Sequence, residues 1–184
     1  MIDYVPMPEV SISTVALACA DAWDWLQAPS EEYLDVVGPG ESDAMRRSMA
    51  VMSGCALVAA GYLRCLGVSD PHLEPPYHIG TAVSRLVRLA QEHDALETDI
   101  SDVQVGDVVI VSGPEHVMVV LAVDDDETIT TLDGGQVIAG HQAITRNVRV
   151  RTHDHVGARK VMYRINCDRL PCEGVRRIPM REEQ

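Results

Sequence analysis

The chain has 184 residues, which is long enough for one domain. Its formal net charge of −13 gives no general attraction to nucleic acid or to an anionic membrane. Apolar residues make up 46% of the chain and charged residues 23%, which excludes wholesale disorder. No apolar run approaches the roughly 20 residues of a membrane span. The first basic residue is Arg46, so no signal segment is recognised, and a cytoplasmic protein is predicted, with export by a dedicated system left open.

The first half of the chain carries helical patterns. Helices are predicted over residues 11–27, 42–52, 55–66 and 81–93, and loops around residue 29, at residues 38–40 and over residues 69–80. Ser11 or Ser13 is suited to cap the first helix. The helix at 55–66 is apolar on nearly every side, which predicts a central, buried position. Gly61 inside it predicts close approach of another backbone, and Gly67 predicts its end.

From residue 107 onward the apolar period becomes that of β-strands. Five β-branched runs are separated by turns at 113–114, 124–126 and 134–135, and at least four of them are predicted to be strands. The runs are Asp107–Val111, His116–Val123, Thr128–Leu132, Ile144–Val150 and Lys160–Ile165. Connections this short favour an antiparallel meander. Helices followed by a meander predict an α+β fold, in which N-terminal helices pack on a C-terminal antiparallel sheet. A single domain over residues 1–184 is expected.

Charge is distributed unevenly along the chain. Ten of the 15 basic residues lie in residues 144–184, whereas 23 of the 28 acidic residues lie in residues 1–143. The simplest expectation is that the basic C-terminal segment packs against the acidic remainder. No protein partner can be identified from the sequence.

Cysteine usage argues against a disulfide framework, because the five cysteines include no C-x-x-C spacing. Only Cys167 and Cys172 are close enough in sequence to suggest a pair. Cys55 has a different environment: it follows Ser53-Gly54 and opens the buried helix. The unpaired N–H groups and positive dipole at a helix N-terminus favour a thiolate and can hold a developing oxyanion. The alternative is that Cys55 is a packing residue.

His116 and Asp133 are predicted near the same edge of the sheet as the start of this helix. His116 opens an apolar strand, where an imidazole can act as base for a thiol. A hairpin through residues 124–127 returns Asp133 beside the start of that strand, where its carboxylate can fix the imidazole tautomer. Gln136 could serve the same purpose through its amide oxygen. The alternative interpretations are a surface histidine and an ordinary Asp-Gly turn.

These segments resemble papain-like cysteine peptidases and amidases of the NlpC and CHAP type. The run Met52-Ser53-Gly54-Cys55-Ala56-Leu57-Val58 is similar to their nucleophile segment, and Gly106-Asp107-Val108-Val109 followed by Glu115-His116-Val117 is similar to their next two strands. The resemblance spans about residues 45–137. It implies Cys55 as nucleophile, His116 as base and Asp133 or Gln136 as the orienting residue. The implied substrate is a peptide or amide bond, with peptidoglycan peptides as one candidate. Met52 and Ser53 stand where the family usually carries Asp or Asn.

Two alternatives stay open at this point. A catalytically inactive binding or adaptor module on the same fold would show the same pattern. A zinc hydrolase could use His153 and His155, with His141 in reserve, although three or four ligands are needed. No nucleotide-binding glycine pattern is found. We therefore predict neither a metal nor a cofactor.

Overall fold

The computed structural model describes residues 10–49, 54–76, 82–111, 116–124, 128–150 and 162–172. The helices are α1 (Ile12–Trp23), α2 (Glu31–Val37), α3 (Asp43–Met49), α4 (Cys55–Cys65) and α5 (Ala82–Glu92). The strands are β1 (Leu96–Glu97), β2 (Val108–Val111), β3 (His116–Val123), β4 (Thr128–Ile138), β5 (His141–Val150) and β6 (Met162–Ile165). Short 3₁₀ turns lie at Pro71–Leu73 and Cys167–Arg169.

The six strands form one antiparallel sheet in the order β1-β6-β2-β3-β4-β5. Strands β2 to β5 follow one another as the predicted meander, and β6 returns to pair with the free edge of β2. The predicted α+β class, with the helices first and the antiparallel strands second, is confirmed.

Side-chain alternation along the strands divides the core between the two faces of the sheet. Val108 and Ile110 point to the helices and join the larger hydrophobic cluster, whereas Val109 and Val111 join a smaller cluster on the opposite face. Helix α4 lies at the centre of the larger cluster and is buried on nearly all sides, as its apolar circumference predicts. Its N-terminus is thereby held against the sheet.

Gly61 within α4 and Gly67 just after it have the predicted roles. A Cβ atom at Gly61 would lie 2.9 Å from the backbone oxygen of Val36 in α2, so the two helices can approach closely only with glycine there. Gly67 follows the last turn with a φ of 80°, a left-handed conformation that glycine adopts without steric cost. Both features fix α4 in position relative to its neighbours.

Helix α2 lies between the two predicted loops and was not predicted from the sequence. Ser30 caps the helix by accepting a hydrogen bond from the Tyr33 backbone N–H at 3.2 Å, and Glu31 and Glu32 occupy its first turn. Seven residues are too few for a helical period to stand out between Pro29 and Gly38. The helix exists because Tyr33 and its apolar neighbours are buried against α4.

The predicted turn at residues 134–135 is wrong, because β4 continues through both glycines to Ile138. The chain reverses instead at Ala139 and Gly140, which both have positive φ angles, of 50° and 85°. Gly135, with a φ of 71°, lies in an irregularity of the β4–β5 pairing between Asp133 and Gln136. Gly135 therefore marks a bulge, and Gly134 marks a close contact with α4, rather than a chain reversal.

The basic C-terminal segment packs against acidic residues, as expected, wherever its arginines are described. Each of its four described arginines pairs with at least one carboxylate from the preceding part of the chain. The pairs are Arg146 with Asp21 and Asp24, Arg149 with Asp133, Arg164 with Asp107 and Glu97, and Arg169 with Glu97.

None of the five cysteines, all within the described ranges, forms a disulfide, so the suggested Cys167–Cys172 pair is not formed. Cys172 is exposed and the other four are buried. Across the described ranges, none of the helices has the length and apolar character needed to cross a membrane.

Candidate active site

Cys55 is the first residue of α4, and the residue is almost completely buried at 6% exposure. The residue before it, Gly54, provides no side-chain cap. The N–H groups in the first turn of a helix have no partner within the helix, and they carry its positive partial charge. The predicted position of Cys55 at the N-terminus of a buried helix is therefore present. Ser53 itself lies outside the described residues.

His116 and Asp133 are brought together by the register of the β3–β4 hairpin. Met118 lies directly opposite Asp133, and His116 is two residues before Met118 on the same face of the sheet. The His116 Nε2 atom is 3.4 Å from Asp133 Oδ2, an ion-pair contact. The predicted return of the second strand beside His116 is thus what positions the carboxylate.

The Cys55 thiol completes the arrangement, because it makes a side-chain hydrogen bond with His116. Since Nε2 faces Asp133, the other ring nitrogen is the one available to the sulfur. The Asp133 contact is the largest cause of a rise in the pKa of His116 to about 9, the Cys55 contact is the second, and burial acts in the opposite direction. The ring is therefore protonated on both nitrogens at neutral pH, as a charged imidazolium.

Asp133 has two further partners that the sequence did not reveal. Asn147 donates a hydrogen bond from Nδ2 to Asp133 Oδ2 at 3.0 Å, and Arg149 forms an ion pair with the same oxygen. Asp133 is fully buried. Burial alone would raise the pKa of Asp133, but the contact with the His116 ring and the Arg149 hydrogen bond outweigh it and hold that pKa below its ordinary value. The carboxylate stays ionised behind the imidazole.

Tyr33 is a third residue that sequence reasoning missed, because it lies on the unpredicted helix α2. A Cβ atom at Gly54 would be 2.8 Å from the Tyr33 hydroxyl oxygen, so this hydroxyl packs against the start of α4. It is buried and has no hydrogen-bond partner within the described ranges. Burial, followed by the nearby Cys55 sulfur, raises the pKa of Tyr33 to about 12. The phenol is therefore a neutral donor without an acceptor, beside the thiol.

Gln136, the alternative orienting residue, is not brought to the imidazole. Its amide donates to the Gly134 carbonyl at 3.5 Å, and in the part of the chain that is described it makes no hydrogen bond with His116. Gln136 lies beyond the bulge, opposite Ala143 of β5. Of the two candidates, Asp133 is the one that meets His116.

Gly134 allows α4 and β4 to approach each other at the site. We expect Gly134→Ala to lower the free energy of unfolding by about 1–3 kcal/mol through overpacking. The added Cβ would lie 2.4 Å from Val58 Cγ2 and 2.9 Å from the Gly54 carbonyl oxygen. Urea denaturation measures the effect. The double variant Val58→Ala/Gly134→Ala lacks Val58 Cγ2, so the first of these clashes is absent. Its free energy of unfolding should fall by less than the sum of the decreases in the two single variants. Strict additivity would contradict this packing.

The residues considered for a zinc site lie mostly outside the described ranges, His153 and His155 among them. His141 is on β5, and within the described ranges no group of three or more potential ligands is positioned to hold a metal ion. Comparison with protein-family models, with curated proteins and with solved structures finds no match. The site must therefore be interpreted from its own chemistry.

Proposed function

We propose that the protein is a thiol hydrolase that cleaves a peptide or amide bond, and that its fold is papain-like, of the NlpC and CHAP type. One observation carries the proposal: the Cys55 thiol contacts the His116 imidazole, and the Asp133 carboxylate lies behind that ring. These residues come from α4, β3 and β4, so their meeting is a property of the fold. A nucleophile, a base and an orienting carboxylate in this order form the arrangement of covalent acyl transfer.

The reaction would begin from an ion pair in which Cys55 is a thiolate and His116 is a protonated imidazolium. The thiolate attacks the substrate carbonyl carbon, a C–S bond forms, and negative charge develops on the carbonyl oxygen. The Cys55 backbone N–H and the unpartnered Tyr33 hydroxyl are the donors that we assign to this oxyanion. His116 then protonates the departing nitrogen, the C–N bond breaks, and an acyl-enzyme remains.

Water completes the cycle in the second half-reaction. His116 accepts a proton from the attacking water, and the new C–O bond forms as the C–S bond breaks. The product is a carboxylic acid, and Cys55 and His116 return to their starting states. Asp133 keeps the imidazole oriented in both halves and stabilises it while it is charged. Peptidoglycan peptides are the substrate class that the family resemblance suggests, and we propose them as the first to test.

Alkylation with iodoacetamide between pH 5 and 9, followed by peptide mass spectrometry, tests the proposed thiol chemistry without a substrate. We expect Cys55 to be labelled at pH 6 at least about tenfold faster than in His116→Gln, because the imidazolium stabilises the thiolate. Cys172 is an internal reference because it is exposed to the reagent. Partial burial and the nearby Asp168 carboxylate raise the pKa of its thiol. It should react only at alkaline pH.

Two results would contradict the proposal. In one, Cys55 labels only at alkaline pH together with Cys172. In the other, Cys172 labels and Cys55 remains unmodified throughout. Either would favour the inactive binding or adaptor module, in which Cys55 is a packing residue.

A further inference from the structure

Arg149 reaches the candidate active site from the outer neighbouring strand. It lies on β5 with its side chain 32% exposed, and its guanidinium pairs with Asp133 Oδ2. That oxygen also accepts the Asn147 hydrogen bond at 3.0 Å and lies 3.4 Å from His116 Nε2. One carboxylate oxygen thus serves the imidazole on one side and β5 on the other.

The burial of Asp133 separates this pair from an ordinary surface ion pair. An exposed carboxylate is stabilised by water and gains little from an arginine. Asp133 is fully buried, so its ionised form depends on the groups around it. His116 is one of these groups, but it gives up its proton during the proposed reaction. A guanidinium remains charged at every relevant pH, so Arg149 is the constant source of positive charge.

We propose that Arg149 is a positioning residue of the active site, which shares the Asp133 carboxylate oxygen with His116 and partly offsets its negative charge. This inference rests on the proposed function. Charge then alternates along the site, from the Cys55 thiolate through the His116 imidazolium and the Asp133 carboxylate to the Arg149 guanidinium. The pair also limits how strongly Asp133 retains the imidazolium proton, because the carboxylate is shared with a second cation. An imidazolium that holds its proton less tightly is the better acid for the leaving nitrogen.

The groups facing His116 determine the direction of the expected effect. Cys55 faces it from α4 and Asp133 from β4, while Val111 of β2 lies opposite it and carries no charge. Tyr33 of α2 is beside Cys55 and stays neutral. Removal of the Arg149 charge therefore eliminates a positive charge that opposes the imidazolium. It also leaves His116 as the only cation that contacts Asp133 Oδ2, so the carboxylate holds the imidazolium more strongly. Both effects should raise the pKa of His116.

NMR titration of the His116 imidazole, assigned with His116→Gln, measures this effect directly. In Arg149→Gln we expect the pKa of His116 to rise by about one unit, and in Arg149→Lys, which keeps the charge, by less than half as much. Arg146→Gln is the matched control, because Arg146 is on the same strand and pairs with Asp21 and Asp24 away from the site. Its His116 pKa should equal that of the unmodified chain. An unchanged pKa in Arg149→Gln would overturn the inference.

A second comparison covers the case in which Arg149→Gln fails to fold because it leaves a buried charge unpaired. Asp133→Asn and Asp133→Asn/Arg149→Gln both lack that charge. We expect the pKa of His116 to be higher in the double variant, by about half a unit, because the guanidinium is gone. Equal values would overturn the inference. Failure of the proposed function is distinguishable, since it would appear in the unmodified chain as slow labelling of Cys55 at pH 6.

Discussion

We expect Cys55→Ala to hydrolyse peptide substrates at least about 10⁴-fold more slowly than the unmodified chain, measured as kcat/KM. The substrates to use are soluble peptidoglycan stem peptides and peptidyl coumarin amides, with released amines quantified. Alanine retains the fold of α4 but removes the only atom that the mechanism uses to bind the acyl group. The remaining donors can still polarise a carbonyl, so a small residual rate is consistent with the mechanism.

His116→Ala should lower kcat/KM by a similar factor, and the double variant should be little worse than either single one. Residues that act as one unit show this non-additivity, because each loss already removes the shared step. Cys172→Ala is the matched control: it deletes an exposed thiol and should leave the rate unchanged. Full activity in Cys55→Ala would eliminate the acyl-enzyme mechanism.

The largest loss of stability is expected from Arg164→Met, at the opposite end of the sheet. Arg164 is nearly fully buried, with Nε 2.7 Å from Asp107 Oδ2 and Nη1 3.2 Å from Glu97 Oε2. Removing one partner of a buried ion pair leaves an uncompensated charge and lowers the free energy of unfolding by about 3–5 kcal/mol. Urea denaturation at pH 7 measures this loss. Arg169→Met, which removes an exposed partner of Glu97, should cost less than about 1 kcal/mol.

The pH dependence of this loss provides an additional check. Burial raises the pKa of Asp107 above its ordinary value, although Arg164 and the backbone N–H groups of Gln104 and Cys167 act to lower it. When the folded-state pKa of an acid is raised, its ionisation costs folding free energy as the pH rises from the unfolded to the folded pKa. Removal of Arg164 increases that cost. The deficit of Arg164→Met should therefore be smaller near pH 4 than at pH 7, and a deficit independent of pH would contradict the role of Asp107.

Local sequence signals predicted the elements that carry the candidate nucleophile and base. The apolar circumference of residues 55–66 indicated a central helix that begins at Cys55, and the run from His116 indicated a buried strand. These predictions depend on periodicity and on glycine placement, which act over a few residues. They were sufficient to put Cys55 and His116 at element ends that face each other. The resemblance to NlpC and CHAP enzymes remains a prediction.

The identity of the orienting residue depended on a contact that no local signal reveals. Asp133 and Gln136 were equally suited by residue type, and the glycines between them suggested a turn. The continuation of β4 through a bulge gives Asp133 the position beside His116 and directs Gln136 to the Gly134 carbonyl. Gly134 is required because α4 packs directly against it. This is a constraint between distant segments.

The sequence by itself determined the order of helices and antiparallel strands, the central position of α4 and the residue types capable of thiol chemistry. Only the tertiary structure decided that Asp133 rather than Gln136 meets His116, that the Tyr33 hydroxyl lies beside Cys55, and that Arg149 of β5 pairs with the carboxylate. The physical reason is range. Hydrophobic periodicity and turn preference are recorded within a few residues, whereas strand register, bulges and helix–sheet packing are set by contacts between segments far apart in the chain.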